Sequence, residues 1–168
     1  NCAAIAAPLC RTLWEHASLP QILVDADACP VKDEVLRVAA RHGLVTTFVA
    51  NSGLRPSRDP LIVNVLVPQG ADIADDWIAE HCQPGDIVIT ADIPLASRVL
   101  AAGGTALGPT GRPFTTQSIG MALAMRELNQ HLREVGEASY RPGGFTARDR
   151  SAFLQALDEA VTRAKRAG

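Results

Sequence analysis

Three groups of aspartates have the side chains and the placement for divalent-cation chemistry. Asp25-Ala26-Asp27 directly follows the apolar run Ile22-Leu23-Val24. Asp72, Asp75 and Asp76 stand at the start of a helical pattern, and Asp92 follows the run Ile87–Thr90. An aspartate at a strand-to-helix turn often only caps the helix, accepting backbone N–H bonds. Asp75 and Asp76 would complement a helix dipole equally well. Three such groups gathered at one end of a fold call for more, because carboxylates packed together repel and normally require a cation. Their hard oxygens suit Mg2+ or Mn2+. Thr90 and Asp92 are two residues apart, so an extended backbone sets both on one side. There a hydroxyl can orient a metal-bound carboxylate or a water molecule.

Apolar runs alternate with helical patterns along the chain. Strands are expected at Ile22–Val24 (ending on Asp25), Val45–Val49, Ile62–Val67, Ile87–Thr90 and Thr105–Leu107. Helices are expected at Val31–His42, between Pro30 and Gly43, then at Ala74–Cys82 and Leu95–Ala102. Two longer ones, Gln117–Val135 and Thr146–Arg166, flank the Gly/Pro-rich stretch Tyr140–Gly144. Strand–helix alternation with short, continuously apolar strands predicts an α/β fold. Its mostly parallel central sheet is covered on both faces, a three-layer α/β/α sandwich. Ligands of such sheets bind at the carboxyl ends of the strands, near a switch in strand order, which is where the acidic groups fall. Residues 1–20 are Ala-rich and read as an extension of doubtful order, and 21–168 as a single domain.

At 168 residues and 47% hydrophobic composition, the chain has the size and apolar content of one folded domain. No apolar run approaches the roughly 18–20 residues that cross a bilayer, and Cys2–Leu13 lacks the basic start of a signal peptide. The net charge of −2 excludes a histone-like partner, although residues 85–168 carry ten of the 16 basic groups. Cys2, Cys10, Cys29 and Cys82 form no CxxC pair. Reduced thiols in a bacterial cytoplasm are therefore the expectation. Cys29, at a helix start, reads as a small buried residue behind the acidic turn. Glycine-rich phosphate loops are absent. An aromatic content of 4% is too low for base-stacking surfaces of the RRM or OB type. Trp14, Trp77, Tyr140 and the four Phe residues read as packing groups.

The stretches LVDADACPVKDEV, ADIADDWIAEHCQPGDIVITADIPLA, GRPFT and FTARDRSAFLQAL resemble the bacterial YaiI/YqxD family, from about Ile22 to Phe153 and beyond. That family is grouped with the PIN-like domains, whose characterised members are metal-dependent nucleases. The resemblance therefore implies a PIN-like fold with Asp25, Asp75 and Asp92 as catalytic metal ligands. Asp27 joins them as a further ligand from the family's own motif, with Thr90 behind the ligands. Typical PIN nucleases carry another acid on a helix between the first and third. Here that region is the Pro-containing loop Asn51 to Pro60, and neither Asp59 nor Asp72 matches cleanly.

Two functional expectations follow. One is an Mg2+- or Mn2+-dependent nuclease acting on RNA or other nucleic acid. In it, Asn51 supports the site and Lys32, Arg55 and Arg112 contact phosphates. The other is a non-catalytic module of the same fold that binds RNA, a metal or a protein. A third reading takes Asp25 and Asp27 as the nucleophile and acid of a DxD phosphatase. It lacks the later Lys and paired-acid motif. The apolar positions Phe153, Leu154, Leu157 and Val161 fit a C-terminal helix packed on its own domain or across a dimer.

Overall fold

The computed structural model describes residues 19–27, 29–70, 72–134 and 145–167. Most of the expected extension lies outside the described residues, as do Trp14, Val135 and Tyr140–Gly144. The elements are β1 (Ile22–Asp25), α1 (Lys32–His42), β2 (Thr46–Ala50), β3 (Ile62–Leu66) and α2 (Ile73–His81). They continue as β4 (Ile87–Ile89), α3 (Ile93–Ala101), β5 (Thr105–Leu107), α4 (Thr116–Glu134) and α5 (Ala147–Ala167). The five strands lie in the order β3-β2-β1-β4-β5, and every neighbouring pair is parallel. The sheet is thus more uniform than the mostly parallel one expected. An isolated antiparallel bridge joins Leu107 to Pro113.

Local chemistry sets the helix ends. Gly43, at φ 65°, closes α1 in the left-handed conformation and returns its N–H to the carbonyls of Ala39 and Ala40. The Asp92 carboxylate caps α3 by accepting from Leu95 N at 2.8 Å, with Pro94 in the first turn. That cap starts the helix at Ile93, two residues before the apolar spacing does. Thr115 with Ser118 and Thr146 with Asp149 exchange paired bonds that start α4 and α5.

Side-chain alternation divides the core between the two faces of the sheet. Ile22, Val24, Phe48, Ile87, Ile89 and Leu107 pack against α1 and against Phe153, Leu157 and Val161 of α5. Leu23, Val49, Val88 and Ala106 pack against Ile78 of α2, Leu95 and Val99 of α3 and Ile119 of α4. The C-terminal helix therefore packs at home, where each buried Leu, Val or Phe contributes about 1.5–3 kcal/mol. Not every aromatic is core. Phe48 and Phe153 are buried and Phe114 packs partly buried, whereas Phe145 is exposed. Trp77 is half-buried and stacks on His81, ring centroids 3.8 Å apart.

Candidate metal centre

The chain leaves β1 on one side to build β2 and β3, then returns to build β4 and β5 on the other. The order switches between β1 and β4, whose carboxyl ends are where sheets of this kind place a ligand crevice. Alternation decides which side chains enter it. Asp25 follows Val24 and so shares the face of Leu23. Thr90 follows Ile89 and shares the face of Val88. Both therefore stand on the α2/α3 side. Thr90, only 2% exposed, donates through Oγ1 to Asp25 Oδ2 at 3.3 Å, long for an O–H···O bond. The same Oγ1 accepts from Asp92 N at 3.0 Å. One hydroxyl thus joins the ends of two neighbouring strands, through the Asp25 carboxylate and the Asp92 backbone.

Asp75 comes from the first turn of α2. Its carboxyl is pushed up to about 6, first by burial, then by the charges of Asp92, Asp25 and Asp72, with Arg98 opposing. Asp25 is also raised. Burial is the largest cause, the Thr90 hydroxyl works against it, and the charges of Asp27 and Asp92 add to it. The expected capping role of Asp72 is not met. It occupies the N-cap position of α2 without a side-chain cap bond, at φ 62°. Among the described residues it is the one non-glycine with positive φ, a backbone arrangement uncommon outside glycine. Asp76 instead pairs with Arg98 at 2.6 Å, outside the cluster.

Asp27, exposed on the turn after β1, accepts from Asn51 N at 3.0 Å. Asn51 supports the acidic turn through its backbone, whatever its side chain does. Lys32 opens α1 beside the same turn, and Arg112 lies in the turn between β5 and α4. The Arg55 carbonyl accepts from Asn64 Nδ2 at 2.7 Å on the outer strand β3, two strands from β1. Cys29 is half-buried and burial raises its thiol, which suits the packing role expected of it. Arg150 and Glu34 join across 116 positions at 3.0 Å and tie α5 to the start of α1. Nothing in their local spacing points to each other, and the only signal is the stretch FTARDR.

The donor set is of the right chemical kind for Mg2+ or Mn2+, being carboxylate oxygens in a mutually repulsive field. Among the described residues, however, no three His, Cys, Asp or Glu side chains converge as a group that could hold a metal ion. Among the described residues, no helix is long and apolar enough to cross a membrane.

Residues 23–163 match the profile of a family described as "Uncharacterized BCR, YaiI/YqxD family". The UPF0178 protein Atu1478 of Agrobacterium fabrum is 62% identical over 147 residues, 88% of this chain and 96% of the relative. The UPF0178 protein R01393 of Rhizobium meliloti is 62% identical over 145 residues, 86% of this chain and 99% of the relative. A UPF0178 protein of Caulobacter vibrioides is 56% identical over 146 residues, 87% and 95% of the two chains. No solved structure matches the chain.

Proposed function

This chain belongs to the YaiI/YqxD family, and we propose that it is a divalent-metal-dependent phosphodiester hydrolase with RNA as the expected substrate class. The observation that carries the reading is the Thr90 hydroxyl joining Asp25 to the backbone of Asp92 across the β1/β4 switch point. Asp75 lies within the field of both acids. Asp25, Asp75 and Asp92 would hold Mg2+ or Mn2+, with Asp27 at the rim. When bound, the ion supplies an acidified water and neutralises charge on the phosphodiester. The chain's own residues prepare the site. Thr90 orients Asp25 and favours its ionised form, against the burial that opposes it. The α3 cap holds the Asp92 side chain through Oδ2. Lys32 and Arg112 are the residues proposed to hold flanking phosphates.

The test is incubation of labelled single- and double-stranded RNA and DNA with Mn2+, with Mg2+ or with EDTA, beside the Asp92→Asn protein. Asparagine caps a helix about as well as aspartate, so this variant keeps its fold while losing a ligand charge. Metal-dependent cleavage that falls at least about 100-fold in the variant supports the hydrolase. Cleavage equal in both proteins, or none, refutes it. A second reading, a non-catalytic binding module of the same fold, is favoured by the absence among the described residues of three converged ligands. It predicts no cleavage above the variant in any arm.

A further inference from the structure

We propose that the N-terminal end of α5 is a platform for single-stranded nucleic acid. The ring of Phe145 stacks one unpaired base there, and Arg112 and Arg148 hold neighbouring phosphates. The proposal rests on the hydrolase reading for its choice of nucleic acid, and it names the form of the substrate. Phe145 is the one aromatic among the exposed large apolar side chains of the described residues, at 36% exposure. Its ring already carries the Arg150 guanidinium, 5.1 Å from the centroid. That guanidinium is itself anchored, donating through Nη1 to Glu34 Oε1 at 3.0 Å and to the Pro30 carbonyl at 3.4 Å. Glu34 is only 7% exposed, so a buried carboxylate holds the stacked pair against the body of the domain. A base placed on the ring extends a stack that is already ordered, which keeps the entropy cost of binding low.

Two cations from different segments flank the start of α5, Arg148 on its first turn and Arg112 on the turn between β5 and α4. Asp149, in the first turn of α5, is held below the usual carboxylate range chiefly by Thr146, with the charges of Arg112 and Arg148 contributing. Gly111 lets the Arg112 turn approach this closely. At φ 82°, its missing Cβ would stand 2.7 Å from the Ala152 carbonyl oxygen on α5. The bond from Arg150 to Pro30 sets the platform beside the turn that follows Asp25 and Asp27. A lone ring can take only a base whose face is open, which selects single strands over a duplex.

Fluorescence anisotropy in EDTA, with a labelled single-stranded RNA and the matching duplex, tests the platform apart from any cleavage. Phe145→Ala and Phe145→Leu should each weaken single-strand binding about 5- to 100-fold while leaving the duplex unchanged, and Phe145→Trp should restore it. Leucine keeps the apolar bulk, so its loss of binding reports the π face and not the packing. The Arg112→Ala/Arg148→Ala protein should bind single strands more weakly and lower the slope of log K against log salt by about 1.4. Wild-type single-strand affinity in Phe145→Leu, or no measurable binding by the native protein, overturns the proposal. If Phe145 controls binding in EDTA while metal-dependent cleavage fails, the platform stands and the hydrolase reading falls. If cleavage persists while single-strand binding does not depend on Phe145, the hydrolase reading stands and the platform falls.

Discussion

Neutralising Asp75 should make the metal-free protein more stable at neutral pH and above. Its carboxyl titrates at about 6 against an ordinary 3.8, first through burial and then through Asp92, Asp25 and Asp72. The folded chain therefore holds the proton more tightly than the unfolded chain does. The resulting stability is fully present below about pH 3.8 and lost as the pH rises through about 6, where the ionised group weighs against the folded state. At face value the displacement corresponds to about 3 kcal/mol. The side chain is only partly buried, and solvent screening reduces this to about 1 kcal/mol. Asparagine has nearly the same shape and no charge at any pH, and the lost interaction with the α2 dipole returns only about 0.3 kcal/mol. In EDTA, Asp75→Asn should melt roughly 2–4 °C higher than the native protein near pH 8. The two should converge near pH 4, as followed by circular dichroism. Added Mn2+ should raise the Tm of the native protein and leave the variant nearly unmoved. A variant less stable near pH 8, or a gain that does not change with pH, would refute the account of a repulsive carboxylate field.

Thr90→Val tests the hydroxyl at the strand junction. It leaves Asp92 N without its acceptor in a part-buried site, so urea denaturation should show a loss of about 1–3 kcal/mol that Thr90→Ser largely recovers. An unchanged unfolding midpoint in the valine variant would show that Thr90 does not join the two strands. Asp86 separates structural from functional acids. It is 5% exposed and accepts from Gln21 N, Gln21 Nε2 and Gln83 N. Asp86→Ala should cost about 2–4 kcal/mol by denaturation while leaving Mn2+ affinity, read by calorimetry, within about twofold of native. A large fall in Mn2+ affinity in a folded Asp86→Ala protein would place this acid in the wrong class.

What the sequence discloses depends on the range of the interaction. Strand and helix positions come within a residue or two because short apolar runs and 3.6-residue spacing are local signals, as at Ile22–Asp25 and Lys32–His42. The acids of the site are legible for a related reason: alternation along β1 and β4 fixes the face of Asp25 and Thr90 once the strands are known. The two roles open to Asp92, cap or ligand, do not exclude each other, since the cap takes Oδ2. Capping fails for Asp72 because its backbone takes the left-handed conformation, which no composition rule foretells. The Arg55 backbone is tied to the outer strand β3, through a bond to Asn64 that no local spacing announces. A loop between parallel strands must run back along the sheet, and here it passes the outer edge. Arg150 is invisible in the sequence because its partners, Pro30 and Glu34, are 120 and 116 positions away. Phe145 escapes for the opposite reason: low aromatic content says how many rings there are and nothing of which one stays outside.

The contrast between Asp86 and Asp25 shows what decides whether an aspartate beside an apolar run is satisfied. Backbone N–H and C=O groups point sideways from a strand, so what meets a carboxylate at a strand end is set by the segments beside it. Asp86 lies at the amino edge, where the backbone N–H groups of Gln21 and Gln83 and the amide of Gln21 satisfy its oxygens within 3.1 Å. Asp25 lies at the carboxyl edge of the adjacent strand. It gains a long bond from Thr90 and one from the Asp27 backbone, and its charged neighbours include Asp27 and Asp92. Two aspartates of similar environment in sequence, each beside an apolar run, thus meet different surroundings, one ringed by donors and the other set among acids. Helix N-termini supply some compensation at the carboxyl edge, as Leu95 N does for Asp92. Asp25 and Asp75 are both raised above their usual range, chiefly by burial and further by the neighbouring acids, and under the proposed hydrolase reading a divalent cation would offset that field.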